Sequence, residues 1–291
     1  MSRVLVTGIT SPLGQAVGRK LKSEGHRVVG TVRSSRISSP GLPADELVAL
    51  DLEDKRSFTN INGGFDAFVH VAAASEGTAE ELMTITGLGT LHLVERAKIL
   101  NVGRIIHISG MDAFGRISTP VVSEKTPPSY QNPYGVAKWA AESFVAGAEK
   151  SVDGISIRCP AIAGPRHHRH FLARTLTQMK ERQRKITVSN PDFLFNNIVH
   201  EDIVADFVQN LIMLPFLPKV QSLTIGSKDP IPFRTVVEYL STVTRFEGKL
   251  KWNQGAKPPF SIDYTAAAKF GYTPIGVADT INRWINQLDL K

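Results

Sequence analysis

A single cysteine, Cys159, stands among the 291 residues, so the chain can close no internal disulfide, and a reducing cytoplasm is the expected compartment. No run approaches the roughly eighteen consecutive apolar residues of a membrane-spanning helix, so no membrane partner is expected. The first residues carry no apolar leader and pass straight into a strand, which predicts no signal peptide. Acidic residues are in deficit, 27 against 34 Lys and Arg, leaving a net charge of +7. Such an excess suits nucleic acid or a phosphorylated small ligand; because it is not gathered into a tail, no nucleic-acid partner is expected. His167, His168 and His170 cluster without cysteine or carboxylate ligands at a recognised spacing, so no metal is expected. What remains is an ordinary globular composition, 42 % hydrophobic and 21 % charged, enough for one large α/β domain or a core with a small lobe.

The N-terminus reads Arg3-Val4-Leu5-Val6-Thr7-Gly8-Ile9-Thr10-Ser11-Pro12-Leu13-Gly14. Val4 to Val6 is an apolar run of the parallel-strand type. Gly8 permits a sharp turn, Ser11 suits an N-cap, and Pro12 fits the first helical position. Gly14 lets the helix approach the strand or a ligand closely. Backbone N–H groups at such a helix start attract phosphate, and a dinucleotide pyrophosphate is the expected occupant. The glycines are spaced G-x-x-S-x-x-G rather than G-x-G-x-x-G, and Ser11 stands in the middle position. Its Cβ narrows the space over a pyrophosphate, while its hydroxyl is available to bond one.

Strand and helix patterns alternate to about residue 165. Helix is expected over 15–23, 79–100 (weakened by Gly87 and Gly89) and 134–149. Strands are expected over 26–32, 47–50, 65–71, 103–109 and 154–158, and a late one over 223–225. This alternation predicts a doubly wound parallel sheet. Residues 1–165, with a return segment near 196–226, form the expected dinucleotide-binding core. Residues 166–195 and 227–291 form the expected substrate lobe, small and mostly helical.

Two sets of residues point to chemistry. After the second strand comes Arg33, with Ser34 and Arg36 as helpers. An arginine there pairs with the 2′-phosphate of NADP where NAD-binding folds place an acid. NADP is therefore the preferred cofactor, with NAD as the alternative. Asp51-Leu52 closes the third strand, where it suits the adenine edge and face. Tyr134 and Lys138 are four apart, on one face of a helix that opens after Pro133. A nearby ammonium lowers the pKa of a phenol, and such a tyrosine exchanges a proton with a carbonyl or alcohol while hydride moves at a nicotinamide.

The sequence resembles the extended short-chain dehydrogenase/reductases, the NAD-dependent epimerase/dehydratase family. The resemblance rests on Gly8/Ser11/Gly14, Asp51-Leu52, Asp66 to Ala73, Tyr134 with Lys138, Arg158-Cys159-Pro160 before Gly164-Pro165, and Val199 to Asp202. It implies a Rossmann-type fold and a cofactor site including Thr7, Gly8, Thr10, Ser11, Pro12, Leu13, Gly14, Arg33, Asp51, Leu52, Val71, Ala72, Ala73, Tyr134, Lys138 and Pro160. It also implies Tyr134 as acid/base, Lys138 as its partner, and a homodimer formed by the helices near 80–100 and 134–150. Four positions depart from the family pattern. Counting back from Gly115 puts Gly110 where the family has a catalytic Ser or Thr, so Ser109 serves only if the loop shifts by one residue; otherwise Asp112 or a water polarises the carbonyl. Thr86 replaces an Asn, Phe114 a Tyr, and Ser11 a Gly. The basic segment from Pro165, with Arg166 and His170, is read as a clamp for a substrate phosphate or as a solvated face.

The expected activity is an NAD(P)-dependent oxidoreductase acting on a sugar-like or hydroxy-carbonyl small molecule, free or nucleotide-linked, in the scope of carbohydrate metabolism. Two alternatives stay open: a nucleotide-sugar 4-epimerase or dehydratase with retained NAD, and a catalytically weak dinucleotide sensor or scaffold.

Overall fold

A computed structural model describes residues 1–36, 40–129, 132–148, 151–256 and 258–288; the side chain of Arg36 and the expected helix end at Glu149 lie outside the described residues. In chain order the core elements are β1 (Arg3–Thr7), α1 (Pro12–Ser23), β2 (Arg27–Val32), β3 (Glu46–Ala49) and β4 (Ala67–His70). There follow α2 (Ala79–Leu82), a π turn (Met83–Leu88), α3 (Gly89–Ile99), β5 (Arg104–Gly110), α4 (Pro133–Ala146) and β6 (Asp153–Cys159). The remainder comprises α5 (Phe171–Lys180), α6 (Glu201–Met213), β7 (Ser222–Thr224), α7 (Phe233–Val243), α8 (Thr265–Ala268) and α9 (Val277–Asn286).

The strands form one parallel sheet in the order β7-β6-β5-β4-β1-β2-β3. Residues alternate between its faces with the period of two that a strand imposes. Val4, Val6, Val28, Ile106, Ile155 and Ile157 pack on one side with Val17 and Leu21 of α1 and Val204 and Val208 of α6. Leu5, Val29, Phe68 and Ile105 pack on the other with Leu93 of α3 and Val145 of α4. Strand order reverses between β1 and β4, so a crevice opens at their carboxyl ends, the place where doubly wound sheets take ligands.

The two glycines that weaken the helix expected over 79–100 have a physical role. The helix does not break there but widens into the π turn. A Cβ on Gly89 would stand 2.9 Å from that of Leu52, so only glycine lets the helix approach the loop after β3 so closely.

The lobe has its own core, with Leu172, Leu176, Val236, Val237, Leu240, Ile281 and Trp284 from α5, α7 and α9. The stretch expected to belong wholly to it is divided: Ala267 of α8 and Tyr272 pack into the core beside the sheet, where the Tyr272 hydroxyl donates to the Gly226 carbonyl at 2.8 Å. His200, Glu201 and Asp202 fasten these parts. His200 Nε2 meets Gln287 at 2.9 Å, Glu201 meets Arg19 and His167, and Asp202 pairs with Arg283.

Candidate active site

Gly8 follows β1 with φ +69, and a Cβ there would stand 2.9 Å from the Ala72 backbone nitrogen. A Cβ on Gly14 would fall 2.1 Å from the Gly8 carbonyl oxygen. The two glycines thus draw the start of α1 against the ends of β1 and β4. Ser11 is the N-cap, its Oγ accepting from the Gly14 N–H at 3.0 Å, and Pro12 opens the helix. The Ser11 hydroxyl proton stays free to donate outward. Beside this turn a cavity of about 480 Å³ is lined by Gly8, Thr10, Ser11, Arg33, Asp51, Leu52, Val71, Ala72 and Ala73, among others. Residues chosen from four separate strand ends therefore meet at one groove.

Other residues expected at the cofactor hold the groove's frame. Thr7 is buried; its Oγ1 accepts from the Val71 and Ala72 N–H groups, each at 3.2 Å, and meets His70 Nδ1 at 2.7 Å. The Leu13 side chain is in the core, leaving only its backbone N–H for a ligand. Pro12, Gly14, Tyr134, Lys138 and Pro160 do not line this cavity. Thr86, in the π turn, uses its hydroxyl to accept from the Ala74 N–H at 3.1 Å and so steadies the loop after β4.

Helix α4 repeats the α1 design, with Asn132 capping the Gly135 N–H at 2.8 Å and Pro133 in the first turn. It carries Tyr134 and Lys138 toward the ends of β5 and β6. Lys138 is buried, and its Nζ donates to the Ile108 carbonyl at 3.1 Å while standing 5.9 Å from the Tyr134 ring centre. Burial draws its pKa down to about 8. Burial and the neighbouring Asp112 carboxylate push the Tyr134 phenol up to about 12. The lowering of the phenol expected from the ammonium is not seen: burial, and then the Asp112 carboxylate, move it the other way. His70 and His107 stack beneath, 5.4 Å between ring centres; burial lowers both pKa values, so the rings are neutral.

The β5–β6 register keeps Ser109 in the strand and puts Gly110 at its end. The pairing runs through Ser109–Arg158 to Gly110–Cys159, and Ser109 is buried and without a hydrogen-bond partner among the described residues. Asp112 is placed instead, in a 3₁₀ turn over Met111–Phe114. It lines a cavity of about 620 Å³ with Gly115, Arg116, Ile117, Asn132, Pro258 and Phe260. Arg116, Asn132 and Phe260 went unread in the sequence. Asn132-Pro133 offered the same cap-and-proline signal as Ser11-Pro12; Phe260 arrives from the lobe and had no local signal. The turn is held from below by a buried ion pair. Glu142 of α4 accepts three hydrogen bonds from Arg158 of β6, at 2.6, 2.9 and 3.1 Å, and the guanidinium lies 4.1 Å above the Phe114 ring.

The basic segment does not reach this second cavity. Arg166 donates to Gln15 of α1 at 2.6 Å, and Arg169 donates to Ser75 and faces Glu76 at the rim of the first cavity. His170 caps α5, its Nδ1 accepting from the Ala173 N–H at 3.2 Å; its ring packs on Trp284, its Nε2 is buried without a partner among the described residues, and burial lowers its pKa to about 4. Among the described residues no group of three or more His, Cys, Asp or Glu gathers as for a metal, and no helix is long and apolar enough to cross a membrane.

A family model described as "NAD dependent epimerase/dehydratase family" matches residues 4–203. The chain is 23 % identical over 247 residues to a 2-alkyl-3-oxoalkanoate reductase of Stenotrophomonas maltophilia, covering 82 % of this chain and 74 % of that protein. It is 25 % identical over 269 residues to a UDP-glucose 4-epimerase of Streptomyces lividans, covering 83 % and 81 %. Matches to two further relatives cover 35 % and 36 % of those proteins. A crystal structure of a Bordetella bronchiseptica enzyme in complex with NAD superposes with a TM-score of 0.80 at 19 % identity, covering 98 % of this chain and 93 % of that one. At that identity the structural likeness is one of fold.

Proposed function

The chain belongs to the NAD-dependent epimerase/dehydratase family, and from that premise we propose that it is an NADP-preferring oxidoreductase of the extended short-chain type, reducing or oxidising a small polar hydroxy-carbonyl compound of sugar-like character. One observation carries this reading: half-buried Tyr134 opens α4 with its ring 5.9 Å from the buried Lys138 ammonium and its phenol pushed up by burial and by Asp112, which lines a cavity of about 620 Å³. A phenol in that state is a proton donor to a carbonyl oxygen.

The dinucleotide groove suits its ligand. The Gly8 and Gly14 positions leave no room for a Cβ, and Ser11 keeps a free hydroxyl proton at the helix start. Ser11, Thr10 and the first N–H groups of α1 would hold the pyrophosphate; Asp51 and Leu52 the adenine; Arg33 the 2′-phosphate. When bound, the nicotinamide supplies or takes the hydride. Tyr134 gives its proton to the carbonyl oxygen in reduction and recovers it in oxidation. Lys138, tied to the Ile108 carbonyl, holds a positive charge beneath the phenol and favours the tyrosinate that reduction leaves behind. The Asp112 carboxyl oxygens accept from substrate hydroxyls, and Arg116 offers a donor for an anionic group. That pairing favours a polyhydroxylated substrate.

A homodimer is part of the same reading. Leu88 of the π turn and Val136 and Trp139 of α4 leave large apolar side chains about two-fifths exposed, 40 %, 39 % and 40 %. A second copy of the same helices would cover them.

Cofactor choice tests the proposal. Arg33→Asp is expected to weaken NADP binding by at least about tenfold, from loss of a charge-assisted contact of roughly 1.5–3 kcal/mol, and to strengthen NAD binding. Consumption of NADPH against a panel of aldoses, ketoses and hydroxy-ketones should give turnover with the parent chain. The similarity to a UDP-glucose 4-epimerase favours a second reading in which NAD is retained. NAD released from the denatured purified protein, with no consumption of added NADPH, would favour that reading over ours.

A further inference from the structure

Arg182, Arg184, Arg245 and Lys249, with Gln183, Glu247 and Gly248, line a cavity of about 360 Å³ on the lobe. It shares no residue with the cavity of Asp112 or with that of Ser11 and Arg33. Two segments of identical form create it. Helix α5 ends, Arg182 turns the chain with φ +54, and a strand runs over Lys185–Ser189; helix α7 ends, Arg245 turns it with φ +50, and a strand runs over Lys249–Asn253. The two strands pair in parallel.

Left-handed turns after a helix are normally made by glycine or asparagine, because a Cβ is strained there. Here both carry arginine, and both arginines face one cavity. At the cavity's edge exposed Lys185 stands beside the lining Lys249, and further along the strands exposed Thr187 stands beside Lys251. Like charges directly opposite on neighbouring strands repel. Among the described residues Arg182, Arg184, Lys185, Arg245, Lys249 and Lys251 make no ion pair. The helix dipoles do not account for the excess. Each helix C-terminus carries about half a negative charge, which two of them would satisfy with about one cation, whereas four line the cavity against the single Glu247.

We propose that this cavity binds a linear phosphate chain, as found in inorganic tripolyphosphate or the tail of a nucleoside triphosphate. Guanidinium forks match phosphate oxygens in pairs. No aromatic ring lines the cavity to stack a base, so recognition falls on the phosphates themselves.

The test is calorimetric titration of the full chain with sodium tripolyphosphate, and separately with ATP, before and after the double substitution Arg182→Gly/Arg245→Gly. Glycine relieves both turns, so the variant should melt at the same temperature as the parent or higher. Its affinity for tripolyphosphate should fall by at least about tenfold, and the parent should bind tripolyphosphate and ATP comparably. Failure of the parent to bind tripolyphosphate, or unchanged affinity in the folded double variant, would overturn the proposal; so would binding of ATP alone, or tighter binding of a short DNA duplex. Arg33→Asp should leave the tripolyphosphate titration unaltered, which separates this site from the dinucleotide groove; an affinity lost in that variant instead would place the binding in the groove and overturn the proposal.

Discussion

The Glu142–Arg158 pair allows the sharpest energetic test of how the site is held. Both side chains are buried, Glu142 fully, and their three hydrogen bonds join α4 to β6 against the Phe114 turn that presents Asp112. Removing one partner strands the other's charge in the interior, at about 3–5 kcal/mol. A chain of 291 residues unfolds with an entropy near 2.1 cal/mol/K per residue, roughly 0.6 kcal/mol/K in total, so Glu142→Met should lower Tm by about 5–8 °C. Replacing both partners by apolar residues removes the stranded charge, and such exchanges are often neutral or stabilising by about 1–4 kcal/mol. Glu142→Met/Arg158→Met should therefore recover most of the lost stability. Turnover should stay low in the double variant, because the guanidinium no longer seats Phe114 and the turn beneath Asp112. Thermal and urea denaturation of the two singles and the double close the cycle. A single variant within about 0.5 kcal/mol of the parent, or a double as unstable as the sum of the singles, would refute the pair as the lock of this site.

Two further outcomes follow from the charge and surface of α4. A lysine ordinarily keeps its proton to about pH 10.5, but Lys138 has a pKa of about 8. The protonated form is the one that favours tyrosinate, so kcat/KM for reduction should be level below pH 7 and decline as pH rises through 8. Lys138→Arg, which holds its charge, should push that decline beyond pH 10; an unchanged profile would remove Lys138 from the mechanism. Trp139→Glu places a charge in the proposed dimer face and should turn a dimeric parent into a folded monomer by light scattering; a monomeric parent would refute the face.

The sheet was legible because its signals are local. Val4 to Val6, the Ser11-Pro12 cap and the small residues after β4 each act within a few positions. Their meeting at one groove follows from the order reversal between β1 and β4, which the family resemblance supplied. The environment of Tyr134 was not legible: a Tyr-x-x-x-Lys spacing fixes a shared helix face, but the sign of the pKa shift depends on burial and on Asp112, brought in from another segment. His170 misled for a related reason. A basic run reads as a clamp until Trp284, more than a hundred residues on, packs against its ring and converts it to a cap. The second cavity was read only in part, since Phe260 comes from a lobe whose packing against the core has no short-range pattern.

The account rests on a proton that Tyr134 keeps and gives up. The direct measurement pairs NADPH binding, by fluorescence, with NADPH consumption in the presence of an active carbonyl substrate, for the parent and for Tyr134→Phe. Loss of the hydroxyl should leave NADPH affinity within about twofold and lower turnover by about 10²–10⁴-fold, the usual weight of a general acid. Turnover undiminished in the phenylalanine variant would contradict it.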